Sequence, residues 1–261
     1  MLKQLVAFLR LSLYKFFALF PINRPMNTKL LKLCAVMSTV FFLLISAARS
    51  GSSGEAEARD NVPVPISFNL IYSKLGLKEL GLNEAAYKYA VKGWEKLKAK
   101  GEISRYIISI CDYTQPSGNK RLYVIDMATQ TLLFNTLVAH GKNSGDLYAN
   151  RFSNNPESLQ SSLGFYITGN TYTGTHGLGL RLKGLEPGFN SLADSRDIVM
   201  HGASYVCEEF VHQYGRLGKS FGCPAVPIAV HQQIINTIKE GTCLFVFYPD
   251  KKYLSASRLL K

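Results

Sequence analysis

Two amphipathic helical patterns precede a long series of strand patterns. In the clearer helix, apolar residues recur at spacings of three and four, at Ala86, Ala90, Trp94 and Leu97. This spacing predicts a helix with one buried face, and Trp94 is expected in the core. Asn83 before the stripe is a typical N-cap, and Gly101 after it is a typical stop. Ser67 is the expected cap of a shorter helix that precedes it.

Seven short segments after residue 104 are rich in β-branched and aromatic residues and are separated by Gly, Pro, Asn or Ser. They lie at 105–111, 121–126, 131–138, 163–168, 178–182, 197–200 and 243–248. This density of strands predicts a mainly β domain, mostly antiparallel, built as a sandwich or a barrel. A late helix is expected to begin near Pro227, to carry Ile228, Ile234 and Ile238, and to end at Gly241.

The segment that begins at Met26 has the pattern of a secretory signal. Lys29 and Lys32 give it a positive start, residues 33–45 are uncharged and apolar, and residues 46–48 offer small side chains for cleavage. The apolar run is short for a membrane span. We therefore expect engagement with the membrane export machinery and a location in the periplasm or cell envelope. An uncleaved anchor is the alternative, and Met26 is the hypothesised true start.

Composition and charge change this picture little. The chain has 261 residues, 47% of them hydrophobic, and a formal charge of +12, which predicts a globular protein. Six of the basic residues lie before residue 49, where there is no acidic residue. The remaining basicity suits an acidic polymer or surface as well as DNA, so nucleic acid is not expected as a partner. The oligomeric state is not indicated by any pattern in the sequence.

Four cysteines follow the signal pattern: Cys111, Cys207, Cys223 and Cys243. They are too few and too scattered for a disulfide framework. Cys111 with Cys243 is the pairing to test first, because both lie in strand patterns. Burial as small apolar side chains is the simpler interpretation.

Two residues that could serve as a nucleophile and its base lie at predicted turns or strand ends. His201 follows the strand pattern at 197–200, and Cys223 lies between Gly222 and Pro224. A thiol becomes a strong nucleophile when an imidazole takes its proton. The backbone N–H groups of Gly222 and Cys223 are suited by position to stabilise an oxyanion. The pair predicts acyl transfer through a thioester, which requires no metal or organic cofactor.

The spacing of these residues resembles a known family. His201-Gly202, seventeen further residues and Ser220-Phe221-Gly222-Cys223 are similar to the signature of the L,D-transpeptidase (YkuD-type) catalytic domain of bacterial cell walls. The similarity extends over about residues 105–248. The divergent murein subgroup is most similar, by the segments at 138–141, 152–154, 162–167 and 222–225.

The resemblance implies a role for each matching residue. Cys223 matches the acylated cysteine, His201 its base, and Gly202 the residue whose carbonyl orients the imidazole. Gly222 and Cys223 match the oxyanion donors. The implied substrates are peptidoglycan stem peptides, from which the thiol takes a meso-diaminopimelate-type acyl group and expels D-Ala. An amine then resolves the thioester, whereas water would make the enzyme an L,D-carboxypeptidase.

The sequence departs from the common family pattern beside the cysteine. Phe221 and Ala225 stand where the family usually has His and Arg. The missing Arg would grip a substrate carboxylate, and we expect Arg216 or Lys219 to supply that charge. Ser220 is a candidate to orient the turn and to contact substrate.

Other histidines and rival functions complete the set of hypotheses. His176 lies in a shaped loop and is a candidate substrate contact, and His140 either lines the cleft or bonds to backbone. His231 and His212 are expected as ordinary helix and surface residues.

A thiol hydrolase of murein or of murein-linked protein is an alternative function. A non-catalytic wall-binding module, or a zinc site at Cys207, His212, His201 and Cys223, is a further alternative.

The expected organisation follows from these patterns. It is a targeting segment at 1–48, a linker at 49–66, a helical segment at 67–102, an L,D-transpeptidase-like catalytic domain at 103–250 and a C-terminal tail at 251–261.

Overall fold

The computed structural model describes residues 68–175 and 177–261. The predicted signal, the linker, the cap at Ser67 and the candidate His176 lie outside the described residues. Within the described ranges, the structure has eight strands and five helices. The strands are β1 Ile107–Asp112, β2 Leu122–Asp126, β3 Thr131–Thr136, β4 Gly164–Gly174, β5 Gly177–Gly184, β6 Val199–Ala203, β7 Ala225–Pro227 and β8 Cys243–Phe247. The helices are α1 Phe68–Lys74, α2 Glu84–Ala99, α3 Glu208–Tyr214, α4 Ile228–Ile238 and α5 Lys251–Ala256.

All eight strands belong to one mixed sheet in the order β3-β2-β1-β8-β4-β5-β6-β7. Neighbouring strands are antiparallel except for the parallel pairs β1–β8 and β6–β7. Ala139, which follows β3, forms a bridge to Ala225 in β7, so the sheet curves round to an almost closed barrel. The predicted mainly β fold with a late helix is confirmed, and β7 is an additional short strand that the sequence patterns did not indicate.

Helix α2 is built as its pattern predicts. The side chain of Asn83 accepts hydrogen bonds from the amides of Ala85 and Ala86 and so caps the helix. Trp94 is buried in the main core. A Cβ at Gly93 would lie 2.1 Å from the ring of Phe165 in β4, so the absence of a side chain lets the helix lie directly on the barrel. The helical segment therefore shares the barrel's hydrophobic core.

The C-terminal residues pack on the barrel as well. Asp250 caps α5 by accepting a hydrogen bond from the amide of Tyr253. The hydroxyl of Tyr253 donates to buried Glu186 over 2.9 Å, and Leu260 is buried. The segment expected as a tail thus contains a short helix tied to the domain by a buried polar contact.

The cysteines of the described residues are free thiols. Cys111 in β1 lies opposite Val246, whereas Cys243 lies opposite Ile108. The register therefore separates the two sulfurs by three positions along neighbouring strands, and both side chains are buried. None of the helices in the described ranges has the length and apolarity needed to cross a membrane.

Candidate active site

Cys223 lies in a tight turn immediately before β7. The amide of Val199, at the start of β6, lies 3.5 Å from the sulfur. The thiol donates to the backbone carbonyl of Asp197 over 3.6 Å. Two backbone groups of the segment that leads into β6, the amide of Val199 and the carbonyl of Asp197, thus hold the sulfur.

Ser220 braces this turn from within. Its Oγ accepts from the amide of Gly222 over 3.1 Å and donates to the carbonyl of Cys223 over 2.6 Å. Gly222 has a φ of +128°, a region that strongly favours glycine. A Cβ there would also lie 2.9 Å from the carbonyl oxygen of Gln160. The amide expected to stabilise an oxyanion is therefore engaged by Ser220, and an oxyanion would compete with that hydroxyl for it.

His201 stands on β6, between Gly179 of β5 and Ala225 of β7. Its Nδ1 lies 3.0 Å from the carbonyl oxygen of Gly202. A carbonyl can only accept, so this contact assigns the proton to Nδ1 in the neutral ring and makes Nε2 the basic nitrogen. The contact expected from the resemblance, between His201 and the carbonyl of Gly202, is present in the geometry.

His231 packs against the backbone behind this contact. A Cβ at Gly202 would lie 2.7 Å from Cγ of the His231 ring. The ring is fixed because its Nδ1 lies 2.7 Å from the carbonyl oxygen of Ile228 in α4. Space, rather than an unusual φ, therefore requires glycine after His201. His231 is a buried residue of the late helix, as the sequence pattern predicted.

Cys223 and His201 line one open cleft of about 440 Å³. Its other lining residues include Tyr172, Arg196, Asp197, Tyr205, Lys219 and the strongly exposed Phe221. The sequence did not predict Tyr172, Arg196, Asp197 or Tyr205 as members of the candidate site. The position of Arg196 and Asp197, a few residues before His201 on the same segment, was the one available signal.

Burial is the main influence on the thiol and raises the pKa of Cys223. The amide of Val199 and the guanidinium of Arg196 lower that pKa, and the carboxylate of Asp197 raises it. Arg196 is tied to one loop by four hydrogen bonds. Their acceptors are Ser153 O, Ser158 Oγ, Gln160 O and Ser162 Oγ. Its charge is therefore held in place beside the sulfur.

The two candidate cations upstream of the cysteine share one carboxylate. Nζ of Lys219 lies 2.5 Å, and Nε of Arg216 2.9 Å, from Oδ1 of Asp146. The hydrogen bond from Lys219 is the main reason that the pKa of Asp146 is lowered. Lys219 lines the cleft and Arg216 is not among its lining residues. Of the two candidate cations, Lys219 is therefore the one that lines the cleft.

His140 lies behind the cysteine turn instead of lining the cleft. Its Nδ1 lies 2.8 Å from Nη2 of Arg121, a side chain without solvent exposure. Burial first, and then the guanidinium of Arg121, lower the pKa of His140 to about 4. The carbonyl of His140 accepts from the amide of Ser220 over 3.0 Å. The buried Arg121–His140 pair thus supports the segment to which the turn is bonded.

The remaining candidates do not join the cleft. His212 is exposed on α3. The four donors proposed for zinc do not come together, since the described ranges contain no group of three His, Cys, Asp or Glu side chains that could hold a metal.

Comparison with known protein families gives a sequence match over most of the described chain. The sequence model of a family described as an L,D-transpeptidase catalytic domain matches residues 78–247, which is more than half of the chain. No curated protein matches the chain by sequence.

Solved structures give distant matches. One is an L,D-transpeptidase from Mycobacterium smegmatis, with 12% identity, a TM-score of 0.34, and coverage of 55% of this chain and 59% of that one. A second is L,D-transpeptidase LdtMt1 in complex with imipenem, with 12% identity, a TM-score of 0.34, and coverage of 54% and 59%. A third is the Ldtfm-avibactam carbamoyl enzyme, with 13% identity, a TM-score of 0.31, and coverage of 55% and 49%. The chain spans between half and three fifths of the length of these proteins. By the match of the family's sequence model over residues 78–247, the chain belongs to the L,D-transpeptidase catalytic-domain family.

Proposed function

We propose that this protein is a cysteine acyltransferase that acts on peptidoglycan stem peptides, with Cys223 as nucleophile and His201 as base. The observation that carries the proposal is that both side chains line one cleft within a domain of this family. Membership of a family of cell-wall enzymes implies action outside the cytoplasm. The predicted signal segment supports export to the periplasm or envelope.

The first half-reaction forms the thioester. Nε2 of His201 takes the thiol proton of Cys223, and the thiolate attacks the carbonyl carbon that joins the diamino acid to the terminal D-Ala. The C–N bond then breaks, and the imidazolium returns the proton to the departing D-Ala amine. Backbone amides of Gly222 and Cys223 stabilise the tetrahedral oxyanion. The amide of Gly222 must leave Ser220 Oγ, or share its hydrogen between the two oxygens, to do so.

The second half-reaction returns the free enzyme. The amine of a neighbouring stem attacks the thioester carbonyl, the C–S bond breaks, and His201 passes the amine's proton back to sulfur. Water as the acceptor gives an L,D-carboxypeptidase instead. Cys223 lines an open cleft together with the strongly exposed Phe221, so water can reach the thioester and this alternative is kept beside the transferase. Release of murein-linked protein by the same thiol is the further alternative.

The test is intact mass spectrometry after the purified protein is mixed with a disaccharide-tetrapeptide. We expect an adduct equal to the substrate minus D-Ala on wild type and none on Cys223→Ala. A second matched control is Cys207→Ala, because Cys207 is the other partly exposed thiol of the described residues, and this variant should form the adduct normally. Decay of the adduct with and without an amine acceptor separates the transferase from the carboxypeptidase. Absence of the adduct from folded protein with a free Cys223 thiol would refute the proposal.

A further inference from the structure

We propose that Asp197 binds a primary ammonium group of the acyl donor beside Cys223. The inference rests on the proposed function, since it names a specificity-determining residue for that substrate. Asp197 lines the cleft, and its own backbone carbonyl accepts the Cys223 thiol over 3.6 Å. Asp197 therefore contacts the nucleophile through its backbone carbonyl, and it also brings a carboxylate to the same cleft.

The backbone of Asp197 is held in an unusual conformation. Its φ is +50°, a left-handed region that costs non-glycine residues energy and in which Asp is better tolerated than most. Its amide donates to the carbonyl of Asp194 over 3.1 Å, which closes the turn before β6. Since strained residues persist where surrounding structure holds them and cluster at ligand sites, this conformation accords with a functional position.

The charge of Asp197 differs from the other fixed charges of the cleft. The guanidinium of Arg196 is hydrogen-bonded to the carbonyls of Ser153 and Gln160. The ammonium of Lys219 is paired with Asp146. Asp197 is exposed, and its carboxylate forms no ion pair with any described residue. Among the residues described as lining this cleft, Asp197 is the one that carries a carboxylate, so it is the candidate partner for a positively charged ligand group.

The carboxylate of Asp197 disfavours the thiolate form of Cys223. The titratable groups that line the cleft with Cys223 are Arg196 and Asp197 before β6, His201 on β6, Lys219 before the cysteine turn, and the phenols of Tyr172 and Tyr205. Among them, Asp197 raises the pKa of the thiol, in addition to the larger effect of burial. An ammonium bound at Asp197 would cancel that repulsion, so binding of the donor would also favour the thiolate.

The protonation state that each substrate needs shows which of them, acyl donor or acyl acceptor, carries the ammonium bound by Asp197. A carboxylate that binds an ammonium keeps it protonated, and a protonated amine has no lone pair with which to attack the thioester. The ammonium at Asp197 therefore belongs to the acyl donor, as the free amino group on its diamino acid. The attacking amine of the acceptor must lie elsewhere in the cleft.

Binding without turnover provides the test. Calorimetry on Cys223→Ala protein would compare a tetrapeptide whose diamino acid has a free ammonium with the same peptide acetylated at that nitrogen. We expect the free form to bind about twofold to fivefold more tightly, as for a solvent-exposed charge pair. In Cys223→Ala/Asp197→Asn the two peptides should bind equally. Asp194→Asn in the Cys223→Ala background is the matched control and should keep the preference, because Asp194 is exposed in the same turn but is not among the residues that line the cleft.

A second measurement needs no peptide. The pH dependence of iodoacetamide alkylation of Cys223, read on Cys207→Ala protein, should move to lower pH in Asp197→Asn. The same preference in Asp197→Asn as in its parent, or an unchanged alkylation profile, would overturn the proposal. A failed acyl transfer from wild type with the binding preference intact would instead refute the proposed function alone. Asn also tolerates the left-handed region, and circular dichroism would check that Asp197→Asn remains folded.

Discussion

Replacement of Gly202 by Ala tests how the base is held. The new Cβ would lie 2.7, 3.0 and 3.1 Å from Cγ, Nδ1 and Cδ2 of His231. Carbon atoms in contact normally lie about 3.5–4.0 Å apart. The ring cannot swing aside without losing the contact between its Nδ1 and the carbonyl of Ile228. Strand β6 or helix α4 must therefore move.

The expected cost is about 2 kcal/mol in the free energy of unfolding, within the usual range for overpacking. For a domain of this size that corresponds to a fall of roughly 4–8 °C in Tm. A shift of β6 also displaces the carbonyl that His201 Nδ1 contacts, so the rate of acyl transfer should fall more than the loss of folded protein explains. Urea unfolding and thioester formation by intact mass measure the two effects.

A double-mutant cycle tests the predicted clash between a Cβ at position 202 and the ring of His231. His231→Ala removes the ring, so Gly202→Ala should cost far less in that background, with a coupling energy of about 2 kcal/mol. Gly169→Ala in β4 is the matched control, because a Cβ there would be 3.4 Å from its nearest neighbour. If Gly202→Ala unfolded like wild type, or if the coupling were zero, the packing argument would be wrong.

Three other predictions concern the surroundings of the cysteine turn. Arg121→Met should lower the free energy of unfolding by about 2–6 kcal/mol, measured by urea unfolding, because it leaves the two carbonyls of Val138 and Gln115 without their buried donor. The pKa of His140 is lowered to about 4 from 6.5, so the unfolded state binds the proton more readily; stability should fall as pH drops from about 6.5 to about 4. His140→Gln should flatten that part of the pH profile, and a wild-type profile without a slope there would contradict the assignment. Lys219→Ala should raise KM for stem peptide about threefold to tenfold while Arg216→Ala changes it little, which steady-state kinetics would check; equal effects would remove the preference for Lys219.

Local patterns predicted the elements of this fold well. Each of the seven predicted strand segments overlaps a strand, and the cap at Asn83 has its predicted contacts, because period, β-branching and capping act within a few residues. Strand β7 escaped prediction because it has three residues, the last of them Pro227. Its strand character comes from pairing with β6 and not from its own composition.

The residues of the candidate site were likewise predictable only where the signal is local in the sequence. Cys223 and His201 were predicted from short motifs in the sequence, and the contact of His201 with the carbonyl of Gly202 was implied by the family resemblance. Tyr172 was missed because it reaches the cleft by lying over Gly179, whose Cβ position is 2.5 Å from the Tyr172 ring, and only the β4–β5 register establishes that contact. The pairing of both Arg216 and Lys219 with Asp146 likewise depends on a loop more than 60 residues upstream.

The parallel pairing of β1 with β8 determines when this domain can finish folding. Ile108 meets Cys243 across that pair, so the partners are separated by more than 130 residues of chain. Closing so long a loop is slow compared with forming the local hairpins. Until β8 is present, β1 has an unpaired apolar edge that can join the strand of another molecule. A chain truncated before residue 243, or delivered slowly with its C-terminus last, is therefore expected to aggregate instead of remaining as a partly assembled barrel.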